Sequence, residues 1–161
     1  MARTPSFSRA PQQGGRARRS KAMLLPIPRA SANGLALQVH LALAALHGSG
    51  GTRQDAQTLL HTLALASAIA DAGYGSIAPG LMAAAEAAVT ACFSNGRETG
   101  RWRLDDAAFD AFSQVVTVYD RQLQTAPLWA LTEASQWLER LSAGEPRAQA
   151  VHADDAARES C

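Results

Sequence analysis

Apolar residues recur along the second half of the chain at the alternating three- and four-residue spacing of amphipathic helices. One stripe predicts a helix that Asp105 would cap, with core positions at Phe109, Phe112, Val116, Tyr119 and Leu123. The same spacing returns after Pro127 and predicts one more helix, with a stripe at Leu128, Leu131, Ser135, Leu138 and Leu141. Because only residues 125–127 link the two stripes, we expect these helices to form an antiparallel hairpin.

An earlier helix is predicted over about residues 32–47, after a cap at Ser31 or Asn33 and before Gly48. Leucine and valine alternate from position 35 to position 43, which is also typical of a strand. The alanines between them favour the helix, because alanine is the best helix former and a poor strand former. The stripe that we expect to face the core is Leu35, Val39, Ala42, Leu43 and Leu46.

Two more helices are indicated between these regions. One covers about residues 53–72, where Thr52 and Asp55 resemble a capping box. The other covers about residues 79–93 and would stop at Asn95-Gly96. The chain is therefore predicted to be all-α, a helical bundle of about five helices.

Composition agrees with this fold class. About 35 of the 161 residues are alanine, and 47% of the residues are hydrophobic, whereas only 18% are charged. A chain of this length forms one domain that buries about two-thirds of its unfolded surface, so it needs no metal or disulfide to fold. All-β, collagen-like, disulfide-rich and wholly disordered classes are excluded.

Charge is distributed unevenly, although the net charge of the chain is only +1. Residues 1–30 carry seven arginine and lysine side chains and no acidic residue. Residues 31–143 carry a charge of −4, and residues 144–161 carry −2. Such asymmetry is typical of a charged tail on a nearly neutral body. We therefore predict a disordered basic arm (1–22), a helical domain (23–143) and a loose C-terminal tail (144–161).

The segment MLLPIP, residues 23–28, joins the basic arm to the first helix. Proline lacks a backbone N–H and restricts the residue before it, so Pro26 and Pro28 exclude a helix in this segment. We expect an extended strip that lies against the domain.

The run RARRSK in the basic arm is the main functional signal. Arg16, Arg18, Arg19 and Lys21 would attract the phosphate backbone of a nucleic acid without selecting a base sequence. The alternatives are that this cluster recruits an acidic protein or an anionic membrane surface, or that it is a solubilising tail.

A second basic stretch, GRWRLD, precedes the predicted fourth helix. Arg101 and Arg103 flank Trp102, and such a loop can contact phosphates or stack its aromatic ring on a base, in support of the arm. The alternative is local packing, in which Trp102 or Leu104 covers the start of the helix as a hydrophobic staple. For Leu104 we favour local packing.

Candidate catalytic and metal-binding residues are few. His40 and His47 lie two turns apart and His61 offers a third imidazole on the next helix, but no paired cysteines and no HExxH motif accompany them. Glu86 has no second carboxylate placed by spacing to form an acid/base pair. The glycine-rich loop 48–52 lacks the lysine of a phosphate-binding loop. We predict no catalytic residue, no metal and no cofactor, and favour a protein that is not an enzyme.

No segment predicts secretion or a membrane span. The basic start has no apolar core behind it, and no run of 18 residues is apolar enough to cross a bilayer. Prolines and glycines interrupt the amphipathic helix that a mitochondrial transit peptide would need. Cys92 and Cys161 make no disulfide framework and fit a reducing cytosol, so we expect a cytoplasmic protein.

Four longer stretches carry a resemblance to known proteins. The segments MLLPIPRASANGLALQVHLALAAL, ADAGYG, GRWRLD and VYDRQLQTAPLWAL resemble small uncharacterised helical proteins of bacterial genomes and mobile elements, often labelled Fis-like transcriptional regulators. The resemblance covers residues 23–143 and implies a bacterial cytoplasmic protein. It includes no catalytic signature, and no functional residue is carried over from it.

Together these observations predict a non-enzymatic regulatory or accessory protein of bacterial type. Its basic arm would contact nucleic acid without sequence selectivity, and its helical body would self-associate or bind a protein partner. The alternative is a helical protein–protein interaction adaptor with an incidental basic tail.

Overall fold

The computed structural model describes residues 20–143. Within that range it contains a short 3₁₀ helix, Lys21–Leu24, and five α-helices, and no strand. The α-helices are α1 (Arg29–His47), α2 (Arg53–Asp71), α3 (Pro79–Thr99), α4 (Asp106–Thr125) and α5 (Leu128–Ser142). The predicted all-α fold of five helices is therefore confirmed. The site residues Arg16, Arg18 and Arg19 and the predicted tail lie outside the described residues.

Four of the helices form a closed bundle. α1 packs against α2 and α4, α3 packs against the same two helices, and α2 and α4 also meet across the centre. The centre is filled by buried side chains, namely Phe112, Val115 and Val116 of α4 and Leu59 and Ile69 of α2. Burying each large apolar side chain stabilises the fold by about 1.5–3 kcal/mol, which makes this core the main source of stability.

α1 is a helix, as its alanine content predicts, and it begins at Arg29, directly after Pro28. Leu35, which was expected to face the core, is 42% exposed because it lies at the edge of a groove beside α5. The residues that α1 does bury are Ala32, Val39, Ala42, Leu43 and Leu46.

The predicted hairpin of α4 and α5 does not form, because α5 packs against α2 and the 3₁₀ helix instead of α4. The backbone is extended at Ala126 and Pro127, with ψ angles of 137° and 151°, so the chain does not reverse tightly after α4. The Leu128 N–H then donates a hydrogen bond of 2.8 Å to the Leu25 carbonyl. This bond anchors the start of α5 beside the 3₁₀ helix.

The stripe predicted for α5 is shifted as well. Ala130 and Ala134 are the buried residues of this helix, because small side chains let α5 lie close to α2. Leu131 and Leu138 are half-buried, and Leu141 is 41% exposed. The leucines therefore line the edges of the contact rather than its centre.

α3 continues to Thr99, so the predicted stop at Asn95-Gly96 is wrong. Gly96 is buried inside the helix, and a Cβ atom there would come within 2.4 Å of the Trp102 ring. The helix ends instead at Gly100, whose φ of +73° is left-handed and whose N–H donates to the Gly96 carbonyl at 3.0 Å. Gly96 therefore serves close packing rather than helix termination.

The predicted cap at Ser31 or Asn33 is wrong, because α1 already begins at Arg29, with Pro28 as its N-cap and no side-chain cap. The other two predicted caps are confirmed. Thr52 Oγ1 accepts a hydrogen bond from the Asp55 N–H at 3.3 Å, and the Asp55 carboxylate accepts one from the Thr52 N–H at 2.8 Å. Asp105 accepts a hydrogen bond of 2.8 Å from the Ala108 N–H. Each such cap stabilises a helix by about 1 kcal/mol.

The segment before α1 is only partly the extended strip that its prolines predict. Pro26 restricts only Leu25, the residue before it, so Met23 and Leu24 still belong to the 3₁₀ helix. Pro26 then pairs with Pro127 in an isolated antiparallel bridge. The extended part is therefore short, and it lies against the start of α5.

Candidate functional site

The structure places the described basic site residues near opposite ends of α1. Lys21 lies in the 3₁₀ helix beside α5, close to where α1 begins. Arg101 and Arg103 lie in the loop before α4, where the Leu104 N–H donates a hydrogen bond of 2.8 Å to the Leu46 carbonyl in the last turn of α1. α1 has 19 residues and spans about 28 Å. The three basic side chains are exposed, but they do not form one patch.

Trp102 is held by packing against α3. Its ring lies over the bare backbone of Gly96 and meets Phe93 edge-on, with the ring centroids 5.4 Å apart. The guanidinium carbon of Arg97 lies 5.9 Å from the centroid of Phe93, within the range of a cation–π contact. Leu104 is 3% exposed, so the local packing favoured for it is confirmed. The half-buried indole can present only part of its surface to a base.

Acidic residues balance the basic loop. Residues 97–106 contain three arginines and three acidic residues and have no net charge. One of these acids, Asp105, caps α4, and Asp106 lies 3.0 Å from the His47 ring. No ion pair within the described residues involves Arg101 or Arg103. Each guanidinium is free to contact a phosphate, but the loop as a whole does not attract a polyanion.

Two histidines of α1 pair with aspartates of α4. His40 Nε2 lies 2.9 Å from Asp120 Oδ2, and His47 Nε2 lies 3.0 Å from Asp106 Oδ1. His61 is exposed on α2 and joins neither pair. Across residues 20–143, no group of three or more His, Cys, Asp or Glu side chains could hold a metal ion. The two histidines thus link α1 to α4 at the surface of the bundle.

Sequence reasoning misses the buried polar side chain of Gln122 on α4. Its Nε2 atom donates hydrogen bonds to the carbonyl of Ala66 on α2 and to that of Tyr74 in the following loop, each 2.9 Å long. Gln122 Oε1 is buried and accepts no hydrogen bond from the described part of the chain. The available signal was the position of Gln122 between Tyr119 and Leu123, on the stripe predicted to be buried.

An open cavity of about 510 Å³ lies between α3 and the start of α4. Cys92 forms part of its wall, and burial raises the pKa of this thiol, which keeps it protonated and unreactive. Asn95, Arg103 and Asp106 supply polar groups of both signs. No histidine is among the described residues that line the cavity, so the thiol has no adjacent base. The cavity has room for a small polar molecule but offers no catalytic pair.

Apolar grooves run along both sides of α5. One, of about 410 Å³, includes Met82 and Trp137 together with Glu86, which is exposed. No second carboxylate is among the described residues that line this groove. The other groove, of about 450 Å³, includes Leu35 and Leu131. Both grooves suit apolar side chains better than acid/base chemistry.

Comparison of this chain with protein-family models, with curated proteins and with solved structures gave no match. Within residues 20–143, none of the helices combines the length and the apolar character needed to cross a membrane. A function therefore has to be inferred from the charges, surfaces and contacts of the chain itself.

Proposed function

We propose that this chain is a non-enzymatic accessory protein, of the bacterial regulatory type that its resemblance implies, which contacts nucleic acid electrostatically through its basic arm. The separation of charge along the chain carries the proposal. Residues 1–22 contain six arginine and lysine side chains and no acid, whereas residues 23–143 contain seven basic and ten acidic residues. A polyanion is therefore attracted by the basic arm and not by the helical domain.

The cluster Arg16, Arg18, Arg19 and Lys21 would act through counterion release. Each phosphate that a basic side chain neutralises lowers the slope of log affinity against log salt concentration by about 0.9. Four to six contacts give a slope of about −4 to −5. Phosphate contacts carry no base information, so we expect similar affinity for unrelated sequences.

The proposal is tested by fluorescence anisotropy with a labelled 20-base-pair duplex at several salt concentrations. A triple variant, Arg16→Gln, Arg18→Gln and Arg19→Gln, removes three charges from the basic arm. A matched variant removes three charges from exposed positions on α2, α4 and α5, by Arg53→Gln, Arg121→Gln and Arg140→Gln.

The arm variant is expected to bind at least about tenfold more weakly at low salt, with a slope shallower by about 2.7. The matched variant is expected to bind within about twofold of the unmodified chain, because its charges lie on a domain that is acidic overall. Equal weakening by both variants, or no binding of the unmodified chain at low salt, would overturn the proposal.

A second candidate function, a helical adaptor that binds another protein, is supported by the surface of α1. Leu37 and Leu41 are 58% and 61% exposed, although leucine is one of the most commonly buried residues. An adaptor complex should persist at high salt and in the arm variant. Loss of the complex under either condition would count against the adaptor.

A further inference from the structure

α1 carries a second apolar stripe on the side that faces away from the bundle. Its six positions follow one another at intervals of four and three residues, the spacing of a helix–helix seam. All six are exposed and none is charged: Ala30, Gly34, Leu37, Leu41 and Ala44 lie in α1, and Gly48 is the residue that follows its end. We call this set the outward face of α1.

The outward face has the same order of residue sizes in both directions. Two small residues, two leucines and two small residues follow one another, with the midpoint at the level of Val39. In an antiparallel pair of α1 helices centred there, Leu37 would face Leu41 of a second copy. Gly34 would likewise face Ala44, which places small residues opposite small residues.

We propose that the outward face of α1 is a self-association surface, on which a second copy of this chain docks through its own α1 in an antiparallel arrangement. Such a contact is isologous, because each copy supplies the same set of residues and the twofold axis exchanges them. Antiparallel pairing also sets the helix dipoles in opposite directions. The inference goes beyond the proposed function and does not depend on nucleic-acid binding.

The surroundings of the outward face favour a second copy over a charged partner. Apart from Arg29 beside Ala30 at the start of α1, the residues that flank it are uncharged or are the two histidines that already pair with Asp120 and Asp106. They are Ser31, Asn33, Gln38, His40, Ala45 and His47. Around the two leucines at its centre, an acidic or basic protein would find no opposite charge, and the single arginine beside the outward face is fewer than the several basic residues that flank interfacial helices. A copy of the same uncharged face meets no such mismatch.

Gly34 is a second observation that points the same way. Glycine weakens a helix interior, and it is usually kept where the backbone must be approached closely. Nothing in the described chain lies within 4 Å of the place that a Cβ atom of Gly34 would occupy. No contact within residues 20–143 requires glycine at this position. In the proposed pair, the backbone of a second α1 would lie against it.

The size of the outward face predicts a weak dimer. It extends along one helix of about 28 Å, and it offers a few hundred Å² per copy, less than the roughly 800 Å² of a standard interface. We therefore expect the dimer to dissociate on dilution.

Sedimentation equilibrium of the full chain without nucleic acid, at about 5 to 500 μM, tests the proposal independently of the basic arm. We expect the mass to rise from the monomer value of 16.9 kDa towards twice that value. Leu37→Glu with Leu41→Glu should raise the dissociation constant at least tenfold. The matched pair Leu60→Glu with Leu141→Glu, which changes leucines 40% and 41% exposed elsewhere, should leave it unchanged.

Circular dichroism serves to check that both double variants keep their helices. A monomer at every concentration, or equal loss of dimer in both double variants, would overturn the proposal whatever the nucleic-acid measurements show.

The direction of pairing is tested by oxidation of variants that carry one introduced cysteine in a chain with Cys161→Ser, in which the remaining Cys92 is buried. An equal mixture of Gly34→Cys and Ala44→Cys should form the mixed disulfide in preference to either homodimer. Preferred homodimers would indicate parallel pairing, and no disulfide at all would indicate that the two faces do not meet. Both results would overturn the antiparallel arrangement.

Discussion

Gly96 lies directly against the indole ring of Trp102, so that a Cβ atom on Gly96 would be 2.4 Å from Cδ2 of the ring. This contact joins the end of α3 to the loop that carries Arg101 and Arg103. Trp102 cannot retreat freely, because Phe93 meets its ring edge-on at 5.4 Å. The position of the basic loop therefore depends on the absence of a side chain at residue 96.

Gly96→Ala is accordingly expected to destabilise the fold by about 1–3 kcal/mol, the cost of overpacking a filled site. The usual effect has the opposite sign, since alanine is favoured over glycine inside a helix by about 1 kcal/mol. Urea unfolding followed by circular dichroism measures the change. Gly80→Ala, in the same helix with nothing within 4 Å of its Cβ position, serves as the control and should not destabilise. A stabilised Gly96→Ala variant would contradict the packing role.

The buried amide of Gln122 predicts a second stability effect. Gln122→Leu removes two hydrogen bonds of 2.9 Å and leaves the Tyr74 carbonyl without this donor. We expect the free energy of unfolding to fall by about 1–3 kcal/mol. The substitution also removes the buried Oε1, which lacks a partner among the described residues, and this change offsets only part of the loss. Gln124→Leu, at an exposed position two residues further along α4, should change stability by less than about 0.5 kcal/mol.

Periodicity and capping chemistry predicted most of this fold, because they act within one helix. The five helices and the caps at Thr52 and Asp105 follow from spacing and from hydrogen-bonding side chains close in sequence. What the sequence could not predict depends on contacts between distant residues. Gly96 is read as a helix stop unless the Trp102 ring is known to lie on it. The predicted hairpin of α4 and α5 does not form because α5 packs against α2 instead.

The candidate site was less predictable than the fold. The exposed arginines and the acidic residues that balance them within residues 97–106 are visible in the sequence, but their distance from Lys21 depends on the arrangement of the helices. Gln122 was missed because a polar residue next to an apolar stripe is usually interpreted as lying at the exposed edge of that stripe. Only the contact with Ala66 across the core shows that its amide is buried and used.

Two buried acidic protons predict a loss of stability at high pH. Burial raises the pKa of the Cys92 thiol above its ordinary value of 9.0. Burial, together with the charge of Asp120, raises the pKa of the Tyr119 hydroxyl above its ordinary value of 10.0. The unfolded chain therefore releases these protons at lower pH than the folded chain does. Stability from this source is complete below about pH 9 and declines as the pH rises through the folded pKa values.

Urea unfolding between pH 8 and pH 11 measures this decline. Tyr119→Phe should flatten the profile above pH 10, and Cys92→Ala should flatten it from about pH 9, because each removes one of the protons concerned. The comparison uses the slope against pH rather than the absolute stability, since each variant also changes packing. A slope that neither substitution alters would contradict the assignment to these two groups.

The distance between the two basic regions predicts how nucleic-acid binding depends on duplex length. Lys21 and the loop of Arg101 and Arg103 are separated by about the length of α1, roughly 28 Å, which corresponds to about eight base pairs at 3.4 Å each. A duplex of 20 base pairs can therefore reach both regions, whereas one of six base pairs can reach only one.

Arg101→Gln with Arg103→Gln is expected to weaken binding to the 20-base-pair duplex by about two- to fivefold, a modest effect because residues 97–106 have no net charge. The same variant should leave binding to the six-base-pair duplex unchanged. Lys21→Gln should weaken both by a similar factor, since Lys21 belongs to the cluster that attracts the phosphates. Equal weakening of both duplexes by the loop variant would mean that the loop binds nucleic acid independently of the basic arm.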